Sequence, residues 1–154
     1  MIKNQKVIIV TGANKGIGFA LVDQLLTHPL NPKVILTARN QIYGENAKKK
    51  LIEKHPSQKE KLYFHQLDIT DRKSIENFSK WLEENFGTFD ILVNNAGVAY
   101  QSDLAYKAPT EEIVRVTMGT NFYGTVEVTE YLLPLLAKDG KIIMVSSDNG
   151  ELHH

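Results

Sequence analysis

The sequence predicts an α/β protein built on a doubly wound parallel sheet, and three observations predict it. Short β-branched runs alternate with longer segments of helical period along the chain, the pattern left by successive βαβ units. A turn carrying three glycines follows the first apolar run directly and opens a helix. The polar and glycine-containing motifs fall where those apolar runs end, and ligands of such sheets bind beyond the carboxyl ends of the strands.

Residues 6–10 read as the first strand, followed by the glycine turn and a helix that places Ile17, Ala20, Leu21 and Leu25 at helical spacing before His28-Pro29 closes it. Residues 33–38 form a second strand, and 46–54 a charged helix with Ala47 and Leu51 turned inward and Lys48-Lys49-Lys50 on its solvated face. A third strand spans 62–67. A third helix over 71–86 carries the apolar stripe Ile75, Phe78, Leu82 and stops at Gly87. Residues 89–94 give a fourth strand, 110–137 one or two long helices, and 141–146 a fifth strand. Right-handed crossovers then order the strands 3-2-1-4-5.

Composition bounds the rest. A chain of 154 residues, 42% hydrophobic and 23% charged, matches one folded domain of ordinary globular make-up. That domain is assigned to residues 1–150, incomplete at its C-terminal side, with 151–154 as a tail. Eighteen basic residues balance eighteen acidic ones, so no global field recruits nucleic acid or an anionic membrane. With no cysteine, no signal-peptide core at the start and no apolar run of about 20 residues, the expected setting is cytoplasmic, without membrane span or thiolate metal site. The terminal His153-His154 pair reads as a tail, not a metal site, and no metal is expected.

The turn Thr11-Gly12-Ala13-Asn14-Lys15-Gly16-Ile17-Gly18 has a physical purpose. Gly12 permits the tight exit from the strand, Gly16 lets backbone approach a pyrophosphate, and Gly18 lets the helix pack close to the sheet. The helix start offers free N–H groups to the phosphates. A nucleotide-triphosphatase loop is disfavoured, because Lys15 precedes Gly16 and Ile17 stands where Ser or Thr is needed.

The GxxxGxG spacing resembles that of the short-chain dehydrogenase/reductase family, a Rossmann-type fold. Asp68 in LDIT, Asn94-Asn95-Ala96-Gly97, Asn121 in TNFYG and Ser146-Ser147 in VSSDNG match the family's further motifs in order. The wording of TGANKGIG, LTAR, FHQLDIT, LVNNAG and LLPLL is most similar to the NADPH-dependent carbonyl reductases of that family, and the likeness runs from about residue 6 to 150. The resemblance implies hydride transfer between nicotinamide and a ketone, aldehyde or quinone carbonyl, a small-molecule substrate.

An NAD-selective site would carry a carboxylate about 20 residues past the glycines, but Thr37-Ala38-Arg39-Asn40 stands there. A guanidinium meets a 2′-phosphate through a planar fork of donors, so NADP(H) is the expected cofactor; taken alone, Arg39 would be an ordinary surface arginine. The resemblance adds Lys15 to the same phosphate and Asn14 and Ile17 to the turn. It gives Asp68 to the adenine amino group, Ile69 to the ring face, and Asn94, Ala96 and Gly97 to the closing of the adenosine pocket. A turn or capping role for Asp68 is the plain alternative.

By motif position Ser147 matches the family's carbonyl-orienting serine and Asn121 the asparagine that holds a proton-relay water. As plain chemistry the first is a strand-end hydroxyl and the second a buried amide bonded to main chain. The family's proton donor is a tyrosine with a lysine four residues on. The residues four beyond Tyr43, Tyr63, Tyr100, Tyr106, Tyr123 and Tyr131 are Ala47, Leu67, Leu104, Thr110, Glu127 and Leu135, so the pair is absent. Losing a general acid costs about 10²–10⁴ in rate, and the chain alone is expected to be nearly inert as a reductase. The alternative is a non-enzymatic NADP(H)-binding protein that pairs with a partner through the exposed edge of strand 141–146, with poor solubility or partner-dependence as the consequence.

Overall fold

The computed structural model describes residues 5–99 and 110–147. Its sheet is parallel throughout, in the order β3-β2-β1-β4-β5, with β1 Val7–Val10, β2 Lys33–Ala38, β3 Leu62–Gln66, β4 Phe89–Asn94 and β5 Leu136–Met144. This is the predicted order and fold class.

The strand period of two sends alternate side chains to opposite faces, and each face builds its own core. Ile8, Val10, Val34 and Leu36 pack with Val22 and Leu26 of α1 (Gly16–Thr27) and Ala47 and Leu51 of α2 (Gln41–Lys54). Ile9, Ile35 and Leu92 pack on the other face with Ile75, Phe78 and Leu82 of α3 (Arg72–Phe86) and Val128 and Leu132 of α5 (Thr125–Leu132). Each such Val, Leu, Ile or Phe side chain contributes about 1.5–3 kcal/mol on burial. The stripe read for α3 is the one buried, Asp71 caps its start by accepting from Lys73 N at 3.0 Å, and Gly87 ends it at φ 72°.

Four expectations are corrected. In α1 the buried face is Gly18, Val22 and Leu26, one residue on from the Ile17-Leu21-Leu25 row. The second helix begins at Gln41 rather than 46, because Asn40 caps it by accepting from Tyr43 N. Gly44 is an inward position of this helix where a Cβ would stand 1.9 Å from the Phe64 ring. The segment 110–137 is not one or two plain helices. It runs as α4 (Glu111–Met118), a π-helical turn Gly119–Gly124, α5, and a 3₁₀ turn Leu133–Leu135 that contains Pro134. Finally, β5 starts at Leu136 and ends at Met144 instead of spanning 141–146, since Leu136 already pairs with Phe89 before a bulge restores register at Ile91 and Lys141.

Candidate functional site

At the carboxyl ends of β1, β2, β3 and β4 lies a cavity of about 690 Å³, the place where open parallel sheets bind ligands. Its floor is the glycine turn. Gly12 sits at φ +62°, and a Cβ there would stand 2.8 Å from Ala96 Cα, so the turn from β1 and the loop after β4 touch backbone to backbone. Gly16, at φ +58°, has nothing within 4 Å of its notional Cβ and lines the open cavity with Asn14, Lys15 and Ile17. Ile17, read as an apolar helix residue, is 68% exposed at this rim. Lys15 is the N-cap of α1 and makes no side-chain capping bond, so no cap side chain occupies the helix start beside the cavity.

The floor is braced from β4. Thr11 Oγ1 accepts from Asn95 N at 3.0 Å and Ala96 N at 2.9 Å, and Asn95 Nδ2 donates to Thr11 O at 2.8 Å. A Cβ on Gly18 would meet Asn95 Nδ2 at 2.5 Å and Ala13 Cα at 2.9 Å, which is why the helix needs glycine there. Gly18 is thus a packing position, as its reading had it.

One wall comes from the ends of β2 and β3. Arg39, Asn40 and Tyr43 line it from one side, and Leu67, Asp68, Ile69 and Thr70 from the other. Arg39 and Lys15 are exposed on this wall and floor, and among the described residues neither side chain makes an ion pair or hydrogen bond. Asp68 Oδ1 accepts from Thr70 N at 2.9 Å and Thr70 Oγ1 at 2.7 Å, a local turn that aims the carboxylate while leaving its second oxygen for other donors. Ile69 is 5% exposed and serves both the core and the cavity. The opposite wall holds Asn95, Ala96, Gly97, Val98 and Thr120.

Thus the structure gathers every predicted cofactor residue on one cavity except Gly18, which lies beneath it, and Asn94. Asn94 is 5% exposed, donates to Thr129 Oγ1 at 2.9 Å and Met144 Sδ at 3.3 Å, and ties β4 to α5 and β5; its neighbour Asn95 reaches the cavity instead. Neither Asn121 nor Ser147 lines it. Asn121 is exposed rather than buried, and both amide atoms engage Val98: Oδ1 accepts from its N–H at 2.8 Å and Nδ2 donates to its carbonyl at 2.9 Å. It sits in the π-helical turn, a distortion frequent at functional sites. Ser147 stands three residues beyond β5, exposed. Sequence reasoning missed Tyr43, Thr70, Asn95, Val98 and Thr120. Only Asn95 carried a signal, as the partner of Asn94 in the Asn-Asn-Ala-Gly motif.

Among the described residues no cluster suits a metal ion and no helix is long and apolar enough to cross a membrane. The short chain dehydrogenase family model matches residues 6–154. Carbonyl reductase [NADPH] 1 of Sus scrofa is 43% identical over 150 residues, covering 97% of this chain and 50% of the relative. The structure of menthone neomenthol reductase from Mentha piperita superposes with a TM-score of 0.83 at 31% identity, covering 94% of this chain and 61% of the other. An alcohol dehydrogenase from the archaeon Thermococcus sibiricus, complexed with 5-hydroxy-NADP, gives 0.80 at 29% identity over 97% and 62%. The chain spans about half the length of the curated relatives it matches.

Proposed function

From the premise that the chain belongs to the short-chain dehydrogenase family, we propose that it binds NADP(H) for a carbonyl reductase of the cytoplasm. One observation carries this: two cations unpaired among the described residues, Lys15 and Arg39, share a dinucleotide-sized cavity with a glycine turn and a helix start. An isolated phosphomonoester brings nearly two negative charges at neutral pH, and the fork of Arg39 with the point charge of Lys15 answers them. Gly16 leaves room for a pyrophosphate, and Asp68, whose Oδ1 is held by Thr70, would offer its other oxygen to an amino donor such as that of adenine. The bound nicotinamide supplies hydride to a small ketone, aldehyde or quinone. Ser147 orients the carbonyl, and Asn121 holds the chain after β4 against the π-helical turn. The 154 residues contain no tyrosine with a lysine four places on, and the reading for them is cofactor binding with little turnover of their own.

Arg39→Asp tests the cofactor. It is expected to weaken NADPH by 100-fold or more, an estimate of about 3 kcal/mol for a lost charge-assisted bond plus repulsion, and to leave NADH within a few-fold in a fluorescence titration. Equal losses of both cofactors would sink the assignment. Oxidation of NADPH by the wild-type chain with a quinone substrate would overturn the inert reading.

A second reading concerns association. Ile143, Met144 and Val145 at the β5 edge are all more than 40% exposed, as are Met118, Phe122 and Val126. Among the described residues β5 pairs on one side only, apolar surface along such an edge invites a further strand or a partner, and we infer that these 154 residues are poorly soluble or partner-dependent. Sedimentation should show mass rising with concentration; a monodisperse monomer at tens of micromolar overturns this.

A further inference from the structure

The two sides of the nucleotide wall come from different strands. Arg39 follows β2, and the Asp68-Ile69-Thr70 loop follows β3. The sheet ladder holds them in register only as far as Leu67, whose N–H donates to Ala38 O at 2.9 Å. Past that point a chain of side chains takes over. Asp68 N donates to Ser74 Oγ at 2.9 Å, Ser74 Oγ donates to Gln66 Oε1 at 3.1 Å, and Gln66 Nε2 donates to Arg39 O at 3.0 Å.

The direction of each bond is determined by the one before it. The Ser74 hydroxyl accepts from a backbone N–H, so its own proton is free for Gln66. An amide oxygen that accepts leaves the amide nitrogen to donate, and the Arg39 carbonyl can only accept. Ser74 is 6% exposed, and its two bonds are partly shielded from water. Neither Gln66 nor Ser74 lines the cavity, and nothing in the sheet ladder requires either side chain.

We propose that Gln66 and Ser74 are positioning residues for cofactor selectivity, coupling the placement of Arg39 to that of the Asp68 loop. The inference rests on the NADP(H) reading. Arg39 is exposed on a chain that has just left the sheet. Holding its carbonyl fixes where the guanidinium starts, and a fork of donors is useful to a 2′-phosphate only when aimed. The same relay holds the N–H of Asp68, so the adenosine side and the phosphate side of the wall move as one unit. Loss of the relay therefore weakens a cofactor that carries the 2′-phosphate more than one that lacks it.

The test is a set of titrations of the whole 154-residue chain with NADPH and NADH, with thermal melting beside each. Gln66→Met keeps length and removes both bonds. It is expected to weaken NADPH about tenfold, the scale of one well-placed hydrogen bond, and NADH less than about threefold. Ser74→Ala shifts the same preference by a smaller factor, Ser74→Thr keeps the hydroxyl and restores it, and the double variant loses no more than Gln66→Met alone. Should Gln66→Met fail to fold, Gln66→Asn, too short to span both partners, gives the same reading. A purely structural role lowers melting and both affinities alike, which overturns the proposal, as do unmoved variants. If the wild-type chain fails to bind NADPH, the cofactor reading falls with it; if it binds and the preference stays put, the relay alone falls.

Discussion

β1 and β5 are strands of one sheet with similarly apolar sequences, VIIV against KIIM at the end of β5, yet their surroundings differ. β1 has a neighbour on each side and helices on both faces, and all four residues are buried. Among the described residues β5 pairs only with β4, and Ile143 and Met144 are 46% and 55% exposed. Hydrophobicity makes both strands, while position in the strand order decides how much each contributes. The cavity lies on the well-buried side, between loops braced by Thr11 and Asn95, so the part of the molecule proposed to take the nucleotide is the part its hydrogen bonds tie to the sheet.

The largest effect expected from this contrast comes from paired truncations. Leu92→Ala, at a fully buried site between β1 and β5, should cost about 2–5 kcal/mol in urea unfolding. Ile143→Thr, which keeps the β-branch at an exposed site, should stay within about 0.5 kcal/mol. If both cost the same, the β5 edge is covered in solution and the contrast between the strands disappears.

How legible this was in the sequence follows the same division. The apolar, β-branched runs of β1, β2 and β4 and the Ile75-Phe78-Leu82 stripe were readable because burial accounts for each of them. The start of α2 was not, because its signal is a single capping bond from Asn40 and a glycine whose need appears only when Phe64 lies against it. β5 was misplaced for a related reason: Lys138-Asp139-Gly140 reads as a loop, and a bulge opposite Phe89 carries it through the strand. At the site, glycines and charges at strand ends were visible because backbone approach and phosphate binding demand those residue types. Tyr43, Thr70 and Thr120 were not, since nothing about a lone hydroxyl on a helix or turn says that it faces a cavity. The relay through Gln66 and Ser74 was equally hidden, being a relation between residues eight apart with no pattern of its own.

The smallest expected effect sharpens the contrast from the buried side. His65, on β3, packs against Phe78 and Trp81, with ring centroids 5.3 and 4.8 Å away. Burial there holds its pKa below the usual 6.5, and the contact of Nδ1 with Gln66 O at 2.6 Å opposes that only in part. The native state then binds this proton less readily than the unfolded chain. Stability from His65 is fully present above pH 6.5 and is lost as pH falls below it toward the folded value. Melting temperature should therefore decline between pH 7.5 and 5.5 in the wild-type chain, and less steeply in His65→Phe, which keeps a ring between Phe78 and Trp81 and has nothing to titrate. Carboxylates such as Asp23, whose pKa is lowered chiefly by its bond to Lys54, act below about pH 4, and the difference between wild type and His65→Phe isolates this histidine from the other four. Identical slopes in the two proteins would show that water reaches the His65 ring, and that the β3 side of the sheet is as open as the β5 edge.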